Sequence, residues 1–388
     1  MADTEFPQAL PANAVLVHIG MHKTGTTAIQ TLLATRAGEL RERGIAYPGP
    51  RGDHHVQARA LTQLPAGPGG VEAAAPPEVW DELAAQIAAE RGRVVLSSEF
   101  FSGARDGKPA QLVSDLGRER VHVIVGVRQP VATAVSTWQQ GLKEGRVSGI
   151  DQWAAHNLPR AGKAPRGPSY WQHWDLGAMV RRWADAAGAG RVTVVVVDGS
   201  DRNRLPATFE HLLALEPGFL SGQDAPVGNR GMSAPEAELV RRINRGLRGR
   251  LEWPDYRRIV RYGVIRAMVE ERRPGADEAR PILPAWAQEE LHVAGKRAAD
   301  EIAATGVRVV GDLGALSAET YLAPPRDAGP DHLPIDAAVQ AVIGAVMSDP
   351  TGRAGLRRIE DVTSRELAQI LLQRVRRRAN DAARRKRG

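Results

Sequence analysis

The apolar run Val15-Leu16-Val17-His18-Ile19 stops at Gly20 and reads as a strand buried on both faces, because it is short and does not alternate. After a Gly/Thr-rich turn, Ile29, Leu32, Leu33 and Leu40 recur at helical spacing. They predict a helix from Thr27 to Arg43 that ends at Gly44. A second helix is expected from Glu78 to Glu90, followed by the strand Val94-Val95-Leu96, which ends at Ser97-Ser98-Glu99. The strand Val121 to Val127 runs into Arg128-Gln129-Pro130, and a helix continues to about Lys143. Val192 to Val197 is a further strand, and Val307 to Val310 a short one. Strands alternating with helices predict an α/β fold with a parallel sheet flanked by helices.

The segment Leu158 to Ser169 carries Pro, Gly and three bases without periodicity, which predicts a mobile loop. Ser233 to about Ala304 has a helical pattern, and Pro324 to Pro334 reads as a linker. The expected organisation is one domain over 1–323, with extra helices at its C-terminal end, and a linker, small helical region and basic tail over 324–388. No internal repeat is visible.

Composition narrows the chemistry. The chain of 388 residues has no cysteine, which excludes disulfides, thiolate metal sites and cysteine nucleophiles. Residues 1–13 carry two acids, no base and no apolar run, so they do not read as a secretory signal. No run of about 18 apolar residues occurs, so no membrane span is expected. A reducing cytoplasm is compatible with all of this and is the expected location. The wealth of Ala, Gly, Arg and Pro resembles the usage of high-GC bacteria.

The net charge of +7 has one source. Eight bases between Arg374 and Arg387 face only Asp381, so this tail carries the whole imbalance. Such a tail suits an anionic surface, lipid or nucleic acid, but a solvated, fraying helix end is the simpler account. The high pI therefore does not point to a nucleic-acid partner; membrane contact by the tail stays open.

The strongest chemical signal is Gly20-Met21-His22-Lys23-Thr24-Gly25-Thr26-Thr27, between the first strand and the first helix. In that setting backbone N–H groups and a helix N-terminus bind an anion, and Thr26 and Thr27 add hydroxyl donors. A nucleoside-triphosphate loop would carry lysine directly after the second glycine. Here Thr26 holds that place, and the lysine lies two residues before Gly25. A kinase or other phosphotransferase would also need an acidic magnesium ligand at a strand end, and a non-catalytic anion or nucleic-acid binder would rest on the tail.

The run HIGMHKTGTTAIQ resembles the 5′-phosphosulfate loop of sulfotransferases that use 3′-phosphoadenosine 5′-phosphosulfate (PAPS), their bacterial branch in particular. The resemblance implies that Lys23 contacts the bridging and sulfuryl oxygens. It makes Gly25, Thr26 and Thr27 binders of the 5′-phosphate, with Thr24 in the same loop and His22 orienting it. Val123 to Pro130 followed by Ser136 resembles the family's 3′-phosphate motif. Arg128 there offers a bidentate fork, and Ser136 a hydroxyl two turns into the helix. Asn229-Arg230-Gly231-Met232-Ser233 stands where the family often has another basic loop; Arg230 is a candidate donor contact, and a helix N-cap at Ser233 is the plainer reading. The likeness is sharp over 14–47 and 93–145 and absent in the tail. It implies a P-loop-type α/β fold, PAPS as donor, no metal, and a hydroxyl acceptor on a sugar, lipid or small metabolite.

Glu99, at the C-terminal end of a strand, is the favoured general base, since open parallel sheets hold ligands at that edge. His54 and His55 compete, because histidine has a suitable ordinary pKa and the pair lies in a Gly-rich loop. Trp138, Trp153, Trp171, Trp174 and Trp183 could stack on an acceptor, though helix packing is the commoner use. Arg160, Lys163 and Arg166 could attract an anionic acceptor or simply be solvated.

Overall fold

The computed structural model describes residues 6–21, 23–49, 52–63, 75–158, 160, 175–198, 201–220, 230–276, 278–318 and 332–348. The chain divides into two compact units, Met1–Arg250 with Arg273–Pro334, and Leu251–Arg272 with Ile335–Gly388.

The strands of the first unit are β1 (Val15–His18), β2 (Ile45–Ala46), β3 (Arg93–Ser97), β4 (Val121–Val127), β5 (Val192–Val196) and β6 (Arg308–Val310). They form one sheet of order β2-β3-β1-β4-β5-β6, and every neighbouring pair is parallel. Helices α1 (Thr26–Thr35), α2 (Ala37–Glu42), α3 (His55–Thr62), α4 (Glu78–Ala89), α5 (Lys108–Asp115), α6 (Pro130–Lys143), α7 (Ile150–Asn157), α8 (Leu176–Ala187), α9 (Arg204–Leu213) and α10 (Ala234–Leu247) connect and flank it. The helices α11 (Trp253–Tyr256), α12 (Arg266–Glu271), α13 (Ala285–Ala304) and α14 (Ile335–Met347) follow. The expected α/β class, a parallel sheet flanked by helices with further helices after it, is the one observed.

The sheet's two faces explain why its strands read as unbroken apolar runs. Val15, Val17, Val94, Leu96, Val123, Val125, Val192 and Val194 join one core cluster with residues of α4, α5 and α8. Leu16, Val95, Ile124 and Val195 join another with residues of α1 and α9. Period-two alternation thus survives, but both faces are covered, and burying each Val or Leu side chain contributes about 1.5–3 kcal/mol.

Three local expectations are corrected. The helix expected from Thr27 to Arg43 is two helices, bent at Arg36 (φ −102°, ψ 15°). The bend keeps Leu40 in the same cluster as Leu32 and Leu33, so the apolar spacing does not betray it. The edge strand β2 is two residues long, too short for periodicity to register. The Gly-rich loop around His54 and His55 gives way to α3, whose first amide, His55 N–H, donates to Asp53 Oδ1 at 3.0 Å. Ala58, Ala60 and Leu61 are its buried residues, a weak pattern because alanine marks a face poorly.

The second unit gathers α11, a π-helical stretch over Arg257–Ile265, α12 and α14. A Cβ on Gly263 would lie 2.6 Å from Gly344 O, and one on Gly344 2.4 Å from Gly263 O. Two glycines therefore permit a close backbone crossing, and Arg272 Nε donates to Asp336 Oδ2 at 2.7 Å. Residues 251–272 read from sequence as part of the main domain's helical stretch, yet they pack with the helix after 334. Such a pairing leaves no local signal. Among the described residues no helix is long and apolar enough to cross a membrane. Of the expected loop Leu158–Ser169, all but Leu158 and Arg160 lie outside the described residues, as do 324–331 of the expected linker Pro324–Pro334 and the whole basic tail Arg374–Gly388.

The contact between the β2 and β3 entries is steric. A Cβ on Gly92 would sit 2.2 Å from Gly44 O, the same carbonyl that accepts from Arg93 N–H at 3.0 Å. Gly92→Ala should destabilise the chain by about 2–3 kcal/mol in urea unfolding. Gly38→Ala, at an exposed helical position with nothing within 4 Å, should instead stabilise by about 0.5–1 kcal/mol. Equal effects of the two would refute the steric argument.

Candidate active site

β1 lies between β3 and β4, where the strand order turns back on itself, and crevices in open parallel sheets form at that point. Beyond β1 the chain still follows β4: Ile19 N–H donates to Ile124 O at 3.0 Å and Met21 N–H to Gly126 O at 3.2 Å. It then curls through Lys23 (φ 73°) and Gly25 (φ 86°), both left-handed, into α1. Thr24 Oγ1 closes the curl by donating to Met21 O at 2.7 Å. The amides of Thr26 and Thr27, the first of α1, have no helical carbonyl to bond, whereas Ala28 N–H donates to Gly25 O at 3.0 Å.

Two glycines let this loop sit on the sheet. A Cβ on Gly20 would lie 2.7 Å from His18 Nε2, 3.0 Å from Thr24 Oγ1 and 3.1 Å from Thr26 Oγ1. One on Gly126 would lie 3.0 Å from Thr24 Oγ1. Thr26 Oγ1 is buried and without a hydrogen-bond partner, as is His18 Nε2. A buried hydroxyl of this kind costs stability unless a ligand or water meets it. His18 itself is fully buried, shares a hydrogen bond between Nδ1 and Ser97 Oγ at 2.8 Å, and has its edge against Phe209. Burial takes its pKa from 6.5 to about 3, so it is neutral near pH 7.

The second motif meets the loop. Arg128 Nη1 donates to the Lys23 carbonyl at 3.2 Å, across 105 residues of sequence. Lys23 Nζ donates to Gln140 Oε1 at 2.7 Å, and Gln140 Nε2 in turn to Glu144 Oε1 at 3.0 Å. Ser136 lies one helical turn before Gln140 on α6, the residue that accepts from Lys23 Nζ. Thr27 is exposed at the start of α1, and His22 lies outside the described residues.

Arg230 has a carboxylate partner. Its guanidinium makes two bonds of 2.7 Å to the carboxylate of Glu236, whose side chain is completely buried. Glu236 also accepts from Ser233 N–H at 2.9 Å, completing a capping box at the head of α10. The plainer reading, an N-cap at Ser233, is thus present, and Arg230 is tied into it.

Glu99 begins a 3₁₀ helix (Glu99–Gly103) capped by Ser98, whose Oγ accepts from Phe100 N–H at 3.2 Å. Glu99 Oε2 lies 3.4 Å from Gln30 Nε2 and 3.5 Å from His55 Nε2. His55 Nδ1 is 3.0 Å from Ser98 Oγ, and Asp53 Oδ1 is 3.7 Å away. The neighbouring histidine has another task. Ser97 N–H donates to His54 Nδ1 at 3.1 Å, so Nε2 carries the proton and donates to Pro48 O at 2.7 Å. Burial lowers the His54 pKa, and with both nitrogens engaged this ring clips the loop before α3 onto β3. Of the pair, His55 faces Glu99 and His54 does not.

Sequence reasoning missed His18, Gln30 and Gln140. Only the position of Gln140, four residues after Ser136, would have suggested it. Trp138, Trp153 and Trp183 are buried among helices, as packing predicts, while Trp171 and Trp174 lie outside the described residues. Arg160 stacks over Trp286 at 4.9 Å; Lys163 and Arg166 lie outside the described residues. Among the described residues no cluster of three or more His, Asp or Glu side chains could hold a metal ion.

No family model matches the chain, and no curated protein matches it in sequence. Among solved structures it is similar to a sulfotransferase from Alicyclobacillus acidocaldarius, at 15% identity and a TM-score of 0.43, over 79% of this chain and 99% of that one. Similarity at that level carries no functional argument, which rests on the site itself.

His18 supplies a pH test. Its folded pKa of about 3 lies below the ordinary 6.5, so the unfolded chain takes up the proton first as pH falls. Stability from His18 is complete above about pH 6.5 and is lost progressively toward pH 3. His18→Asn should flatten the fall in urea-unfolding stability between pH 6.5 and 4 relative to the parent. Identical slopes would mean that His18 is not the buried neutral group described.

Proposed function

We propose that the chain is a sulfotransferase that moves a sulfuryl group from PAPS to a hydroxyl acceptor. The observation that most supports this is the bond from Arg128 to the Lys23 carbonyl, which joins the two donor-like motifs at the edge of one central strand. The unpartnered Thr26 hydroxyl beneath the loop fits a phosphate that would satisfy it.

In this reading the amides and hydroxyls of Gly25, Thr26 and Thr27 take the 5′-phosphate, and Arg128 with Ser136 the 3′-phosphate. Arg230 pairs with Glu236, and Met232 in the same segment exchanges two hydrogen bonds with Gln139 of α6, which supports Arg230 as a further donor contact. The acceptor oxygen bonds to sulfur as the bond from sulfur to the bridging oxygen breaks. The adenosine bisphosphate leaves with that electron pair, and Lys23 stabilises the charge. The acceptor's proton passes to Glu99, which Gln30 and His55 hold at the end of β3. Holding both reactants in line contributes as much as any single group. The acceptor is a hydroxyl on a sugar, lipid or small metabolite, and the reading places no metal in the reaction.

Glu99→Gln should lower turnover of radiolabelled PAPS by about 10²-fold or more while leaving affinity for adenosine 3′,5′-bisphosphate unchanged. Normal turnover in Glu99→Gln, with loss in His55→Ala, would transfer the base to His55. Loss of bisphosphate affinity in Glu99→Gln would make the carboxylate structural.

A further inference from the structure

Helix α8 packs against α5 and presents an unusual arginine. Arg182 stands two turns after Asp175, the N-cap, and one turn from the buried residues Met179 and Ala186. Its Nε and Nη2 are both buried and both lack a hydrogen-bond partner. These are the two donors on one edge of the guanidinium, the edge that takes a carboxylate or phosphate through two parallel bonds. Leaving them unmet is costly, and arginine does not escape the cost by losing its proton.

The surroundings point the same way. Burial depresses the Arg182 pKa, Arg105 depresses it further, and Asp175 alone opposes them. Asp175 makes no ion pair with Arg182; its Oδ1 accepts from Ala178 N–H at 3.2 Å. A second guanidinium thus stands near Arg182, and the nearby carboxylate is committed to the helix cap. Arg105 follows the Glu99–Gly103 helix by two residues. Arg105 is six positions after Glu99 in the chain, at most about 20 Å if fully extended and less across a 3₁₀ turn.

We propose that Arg182, supported by Arg105, binds an oxyanion at a second site, separate from the β1–α1 loop, and that this oxyanion is the anionic group of the acceptor. The assignment to the acceptor rests on the sulfotransferase reading; the oxyanion site itself does not. Its ligand is a phosphate, sulfate or carboxylate group, carried on a molecule whose hydroxyl reaches Glu99.

Calorimetric titration with inorganic phosphate tests the site, with and without saturating adenosine 3′,5′-bisphosphate. The expected result is a phosphate site that survives the bisphosphate and is weakened at least tenfold in Arg182→Met. Arg105→Met should weaken it several-fold, and reads the site should Arg182→Met fail to fold. Phosphate binding that is unchanged in both variants overturns the proposal. A sugar phosphate that competes with inorganic phosphate, where the neutral sugar does not, supports the acceptor's group as the ligand; binding of inorganic phosphate alone rejects the acceptor assignment. Failure of the bisphosphate to bind would count against the proposed function, yet the Arg182 comparison would still be read on the unloaded protein.

Discussion

The site depends on a short stretch of backbone held against its preference. Lys23 adopts φ 73°, a conformation that costs a non-glycine residue about 1–2 kcal/mol. Several contacts keep it there: Thr24 bonds back to Met21, Arg128 bonds to the Lys23 carbonyl, and Gln140 bonds to its ammonium. The fold beneath makes this possible. Gly20 and Gly126 bring the loop within contact of β4; a side chain at either position would press on Thr24, and one at Gly20 would collide with His18. Strain at one residue thus holds the loop against β4, with its ammonium on Gln140 and its carbonyl on Arg128.

β1 has β3 on one side and β4 on the other, so three strand ends meet at one edge of the sheet. β4 delivers Arg128 as it ends, β3 delivers Ser97, Ser98 and Glu99, and β1 delivers the loop. Helix α1 returns Gln30 to both Ser97 O and Glu99, so the loop before α1 and the carboxylate are linked through one buried amide. His18 lies under this junction, neutral and bonded to Ser97. The candidate donor site and the candidate base therefore share supports and are positioned by one core.

Much of this was legible in the sequence, for a physical reason. The parallel strands are buried on both faces, so Val15–His18, Val121–Val127 and Val192–Val196 stand out as apolar runs, and the loop residues follow the first of them directly. Elements defined by contacts distant in sequence were not legible. β2 exists only by pairing with β3, and α3 is marked mainly by alanines. The second unit depends on Gly263 meeting Gly344, 81 positions apart by number. The histidine pair shows the same limit. Sequence offers His54 and His55 as equals, but the carbonyl of Pro48 and the amide of Ser97 claim one ring and leave the other beside Glu99.

The most direct test of the central claim is calorimetric binding of adenosine 3′,5′-bisphosphate, set against ATP with magnesium, to the parent chain and to Lys23→Ala and Arg128→Ala. The account predicts tight binding of the bisphosphate, weakened by both substitutions, and much weaker binding of ATP with magnesium. Clear binding of ATP with magnesium and none of the bisphosphate would contradict it and return the loop to a phosphotransferase.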